Sequence, residues 1–112
     1  MSAVNLEVLI SNANGDDAFV REIISMSVEQ AETQISLLKN FCVDGVSEDW
    51  QHNAHALKGT AATLGAGDMR RLCEIAQKEM LDTSAAVRQQ QLAAIENCYA
   101  DVKKSLADLG YI

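Results

Sequence analysis

Apolar residues recur along this chain at the three-four spacing of amphipathic helices, and turn-forming clusters interrupt the pattern four times. The interruptions are Asn12-Ala13-Asn14-Gly15, Asp44-Gly45, Gly65-Ala66-Gly67-Asp68 and Asp82-Thr83-Ser84. Residues 2 to about 10 form a short first helix, too short to be stable alone. A second helix is expected over about 16–41, with Phe19, Ile23, Met26, Ile35 and Leu38 on its stripe and Asp16 and Asp17 placed to cap its start. The third follows Ser47 and runs to about residue 64. Its apolar face is Trp50, Ala54, Leu57, Ala61 and Leu64. The fourth covers about 68–81, with Met69, Leu72, Cys73, Ala76 and Met80 on one side. The fifth follows Ser84 and carries Leu92, Ile95, Tyr99, Val102, Leu106 and Leu109 as an a/d seam. Four long amphipathic helices with short connections predict an all-α, antiparallel up-down four-helix bundle with a short additional N-terminal helix.

Composition narrows this reading. The 112 residues suit one domain, taken as 1–112, and 48% apolar with 22% charged residues suits a globular fold. The chain has no proline and only one Trp, two Tyr and two Phe, so an all-β fold is poorly supported. A formal charge of −7, with nine Lys and Arg spread along the chain, supplies no basic face for nucleic acid. No basic leader followed by an apolar run is visible, and no membrane span, so a cytoplasmic protein without membrane or nucleic-acid partners is expected. Cys42, Cys73 and Cys98 lack metal-type spacing and fall at apolar positions, which predicts small buried thiols.

The third helix departs from what a bundle requires. At about 100° per residue, His55 lies about 140° and Gly59 about 180° from the centre of its apolar face. The outward stripe reads Gln51, His52, His55, Gly59, Ala62, where a bundle helix normally carries Glu, Lys, Gln or Arg. Glycine inside a helix costs about 1 kcal/mol relative to alanine. At Gly59 it leaves bare backbone one turn after an imidazole, with Lys58 on the flank three residues after His55. An exposed histidine, a nearby cation and a floor of small residues describe a docking site for a partner that must approach closely.

The string His55-Ala56-Leu57-Lys58-Gly59-Thr60-Ala61-Ala62-Thr63-Leu64-Gly65-Ala66 resembles the signature of histidine-containing phosphotransfer (HPt) domains, which is His-x-x-Lys-Gly followed by small residues and a Gly six positions later. Arg71-Leu72-Cys73-Glu74-Ile75-Ala76-Gln77 is similar to the family's following helix. Thr60 departs, since the family more often has Ser or Ala there. The resemblance implies a carrier in a multi-step His–Asp phosphorelay. His55 would accept a phosphoryl group from a receiver-domain aspartate and pass it to another receiver. Lys58 would stabilise the added charge, and Gln77 would orient the ring. Gln51, His52, Gly59 and Ala62 would form the docking surface. Implied partners are receiver (response-regulator) domains and a hybrid sensor kinase, with Mg²⁺ on the receiver, no cofactor of the chain's own and a monomeric state.

Elementary chemistry agrees with those roles. Free imidazole titrates at about 6.5, so a large share is neutral and nucleophilic at neutral pH. A phosphoryl group in mid-helix finds backbone N–H groups already committed, so its charge needs a side-chain donor, of which Lys58 is nearest in sequence. No Gly-x-x-x-x-Gly-Lys-[Ser/Thr] loop is present, so the chain is expected to carry phosphoryl groups without an ATP site. Asp49, His52 and His55 drift around the helix too far to form a metal site alone, and none is expected. The contrasting reading is a non-catalytic helical interaction module using the same small-residue stripe. A dimerising histidine-kinase core is disfavoured, because no nucleotide-binding domain follows and no acidic residue follows His55. Met1 and the full helix set favour a free-standing carrier.

Overall fold

The computed structural model describes residues 2–112. Its helices are α1 (Glu7–Asn12), α2 (Asp17–Lys39), α3 (Glu48–Thr63), α4 (Gly67–Glu79) and α5 (Ala85–Asp108), with two short strands, β1 (Gly45–Val46) and β2 (Asp82–Thr83). The helix starts follow from side-chain caps. Asp16, Ser47 and Ser84 accept the backbone N–H of Phe19, Trp50 and Val87, at 3.1, 3.2 and 3.2 Å. The long helices pack in a ring, each against the next, with α5 closing on α2. Between α2 and α5 the pairs Lys39–Glu96 and Glu32–Lys103 fix an antiparallel register. The body measures 46 × 22 × 18 Å. The expected all-α bundle is therefore what the chain forms, and no described helix is long and apolar enough to cross a membrane.

The apolar face of α3 is the centre of the core. Trp50, Ala54, Leu57, Ala61 and Leu64 are all fully buried, as the spacing predicts. The α5 seam is buried from Leu92 to Leu106, and Met69, Cys73 and Ala76 are buried on α4. The Tyr99 hydroxyl donates to Glu32 Oε2 at 2.8 Å. This bond lies across the α2–α5 seam and, with Lys103, holds the Glu32 carboxyl below its usual range.

At one end the α2–α3 and α4–α5 connections are joined by the antiparallel β1–β2 bridge, in which Gly45 faces Thr83 and Val46 faces Asp82. Ser47 N–H also donates to the Leu81 carbonyl at 2.9 Å. Beneath the bridge lies Arg88, fully buried. Its guanidinium donates to the carbonyls of Val43, Met80 and Leu81, and its central carbon lies 5.8 Å from the Trp50 ring centroid. Carbonyl oxygens from two loops thus solvate the charge in place of water.

At the other end, Gly65 terminates α3. Its φ of +63° and the bonds Gly65 N–H to Ala62 O and Ala66 N–H to Ala61 O form a Schellman turn. The N-terminal segment lies directly over it, with Asn5 N–H donating to Gly65 O at 3.0 Å. A Cβ on Gly65 would stand 1.8 Å from the Asn5 carbonyl oxygen.

Several sequence expectations need correction. The first helix begins at Glu7 rather than near residue 2, because Ala3 and Asn5 donate their N–H groups to Ser105 Oγ and Gly65 O instead of to a local helix. On α2 the buried face is Val20, Ile24, Ser27, Ala31, Ile35 and Leu38, while Phe19 is 47% and Met26 50% exposed. The stripe is rotated because the tight packing there uses small residues, Ser27 and Ala31, which an apolar count overlooks. Leu109 is exposed. Gly110 (φ +83°) turns the chain after α5, and Tyr111 packs back beneath Arg21 instead. Of the three free thiols, Cys73 is buried, whereas Cys42 and Cys98 are half-buried.

Two outcomes check this packing. Gly65→Ala imposes left-handed strain and a backbone clash, so urea denaturation should show a loss of about 2 kcal/mol or more. An unchanged midpoint would contradict the close approach of Asn5. Burial pushes the Cys73 thiol up to about 12, so native protein treated with iodoacetamide at mildly alkaline pH should alkylate Cys42 and Cys98 and spare Cys73. Labelling of Cys73 at a comparable rate would show that α4 is not seated as described.

Candidate functional site

Because α3 buries one whole face, the opposite face is fixed toward solvent. His52, His55, Gly59 and Ala62 are exposed there and Gln51 is half-buried, which places the predicted stripe on the surface. His55 sits mid-way along a sixteen-residue helix. Its neighbours' backbone N–H groups are therefore used within the helix and cannot hold an anion.

The face is not flat. Glu48, Asp49, Gln51, His52 and His55 of α3, with Gln77 of α4, line an open polar depression of about 580 Å³. Gln77 is half-buried, and its side-chain oxygen is fully buried with no hydrogen-bond partner among the described residues. A buried acceptor left unpaired costs about 1–3 kcal/mol. The residue lines the same depression as His55, while this oxygen is turned into the protein. The structure thus brings His55 and Gln77, 22 positions apart in sequence, to the same depression.

Lys58 does not line that depression. It is half-buried on the α4 side of α3, close enough for its charge to act on Glu74 and Cys73. It forms no ion pair among the described residues, whereas Glu74 is held by Lys78 at 3.0 Å. Lys58 is therefore a cation on the flank of α3, about one turn from His55, with no carboxylate paired to it among the described residues.

Gly59 presents open space, since a Cβ built there meets no atom within 4 Å. Nothing inside the molecule requires glycine at this position. The opposite is true of Gly65, where the turn and Asn5 both exclude a side chain. Two glycines of one motif thus do different work, one terminating a helix and the other clearing its outer surface. Thr60 is buried on the flank of α3 facing α2, its hydroxyl 2.9 Å from Gln34 Oε1, so its hydroxyl has a packing role away from the histidine.

A family model for the Hpt domain matches residues 22–105, from α2 through most of α5. The chain belongs to the Hpt domain family. Hpt domains carry out histidine phosphotransfer in phosphorelays and interact with the receiver domains of two-component systems. No curated protein and no solved structure matches the chain significantly. The matched region contains His55, Lys58, Gly59 and Gln77. Sequence reasoning passed over Arg88, which proves to be the buried charge that holds the loops at one end of this Hpt domain. A signal was present, because Arg88 continues the α5 seam one step before Leu92 and so puts a charge at a core position.

Since Gly59 has no packing partner, Gly59→Ala should stabilise the Hpt domain by about 1 kcal/mol, through helix propensity and a less flexible unfolded chain. Thermal denaturation should show a rise of about 4 °C. A lower melting temperature would mean that Gly59 is needed by the fold after all.

Proposed function

We propose that His55 accepts a phosphoryl group from a receiver-domain aspartate and passes it to a second receiver. The observation that carries this reading is an exposed mid-helix imidazole beside a glycine that the fold itself does not require. In the forward step a neutral ring nitrogen of His55 attacks the phosphorus of the aspartyl phosphate. An N–P bond forms, the acyl P–O bond breaks, and the receiver carboxylate leaves with the electron pair. The return to another receiver is the same exchange reversed. In-line transfer of this kind depends on positioning and charge neutralisation more than on covalent help from the protein.

The roles of the other residues follow from their places. Lys58 swings from the flank of α3 to neutralise the phosphoryl oxygens on His55, a charge-assisted contact that no backbone N–H can supply there. Gln77 lines the same depression as His55 and orients the ring, so that one nitrogen is free to attack. Gly59 and Ala62 let the receiver's backbone approach, with Gln51 and His52 at the edge of the contact. Mg²⁺ held by the receiver would supply further charge neutralisation for the phosphoryl group. The chain acts in this scheme as a monomeric cytoplasmic carrier between a hybrid sensor kinase and its receivers.

Intact-mass measurement after incubation with a phosphorylated receiver and Mg²⁺ tests the proposal. The wild type should gain one acid-labile phosphoryl group and His55→Gln none, with both proteins folded. Equal adducts on the two proteins would move the site elsewhere. No adduct from several receivers would leave a helical binding module without chemistry.

A further inference from the structure

Gln77 reaches the depression from the last turn of α4, and that turn is not capped locally. The final four carbonyls of a helix have no donor within it. In α4 the chain leaves helical geometry at Met80 (φ −106°, ψ 20°) and passes into β2. Side chains of neighbouring helices reach carbonyls at this end and just beyond it. Trp50 Nε1–H of α3 donates to the Ala76 carbonyl at 3.1 Å. Arg88 Nη2 of α5 donates to the Met80 and Leu81 carbonyls at 2.9 and 2.7 Å. Both side chains are fully buried, and the guanidinium lies against the indole ring.

We propose that Trp50, backed by Arg88, is a positioning residue for phosphotransfer: its indole N–H fixes the end of α4 against the first turn of α3 and so sets where Gln77 stands relative to the His55 ring. Ala76, whose carbonyl Trp50 holds, immediately precedes Gln77. Trp50 itself lies on the same helix as His55, about one and a half turns earlier. One hydrogen bond therefore ties the backbone that carries the ring-orienting amide to the backbone that carries the nucleophile. Apolar burial alone does not require an N–H at this position, since phenylalanine or leucine would fill a core. The tie is functional because Gln77 lines the depression that His55 also lines, and keeps that place only while the last turn stays in place.

This inference rests on the phosphotransfer reading, and its test separates the two. Trp50 is the chain's single tryptophan. Growth with benzothienylalanine therefore replaces one indole N–H by sulfur at nearly unchanged shape, alongside Trp50→Phe. Each change is made with and without Gln77→Ala, and single-turnover transfer from a phosphorylated receiver is measured. Loss of the N–H should slow transfer about fivefold in the wild-type background and no further in the Gln77→Ala background, the non-additivity of residues acting through one another. Nitrogen-15 shifts of the His55 ring in the unphosphorylated protein should change with either substitution. Equal slowing in both backgrounds, or no slowing with unchanged ring shifts, would overturn the positioning role. If no receiver phosphorylates the wild type, the phosphotransfer reading fails, and the ring shifts alone decide whether Trp50 positions Gln77.

Discussion

On the proposed phosphotransfer reading, His55 has to stand clear of its own fold and yet be held in place by it. The burial of α3 satisfies both demands. Five side chains on one face, from Trp50 to Leu64, are fully buried. At about 1.5–3 kcal/mol for each large apolar side chain taken from water, that face cannot rotate outward without undoing the core. The opposite face is then exposed by geometry, and His55 takes its outward position from the buried face behind it.

The two ends of α3 are secured differently. At its start, a buried guanidinium, an indole and a two-residue strand pair join both loops at that end. At its finish, a left-handed glycine lets the N-terminal segment cross over the turn. A buried arginine without a carboxylate is costly unless its donors are used, and Arg88 uses its terminal nitrogens on three carbonyls. Those carbonyls belong to chain segments that have left regular structure, so the same bonds relieve the loops and the charge.

Much of this was legible in the sequence, and the rest was hidden for physical reasons. The caps at Asp16, Ser47 and Ser84 and the buried face of α3 could be read directly, because each depends on residue type at short range. The outward stripe was legible as well, since an interior glycine beside a histidine breaks the usual surface pattern. The start of α1 was not, because its backbone partners lie 60 and more residues away in Gly65 and Ser105. The rotated stripe on α2 was missed because Ser27 and Ala31 bury well only against particular neighbours. The meeting of His55 and Gln77 came from family resemblance, and only the packing of α4 on α3 puts both side chains at one depression.

Docking of a receiver on the bare face of α3 over His55 is the step on which the proposed function depends. Nuclear magnetic resonance titration of the nitrogen-15-labelled chain with a beryllofluoride-activated, Mg²⁺-loaded receiver addresses it most directly. Shift changes should concentrate at His52, His55, Gly59, Ala62 and Gln77, with little effect along the outer face of α5. Changes centred on α5 or on the β1–β2 end, with the α3 face silent, would contradict it.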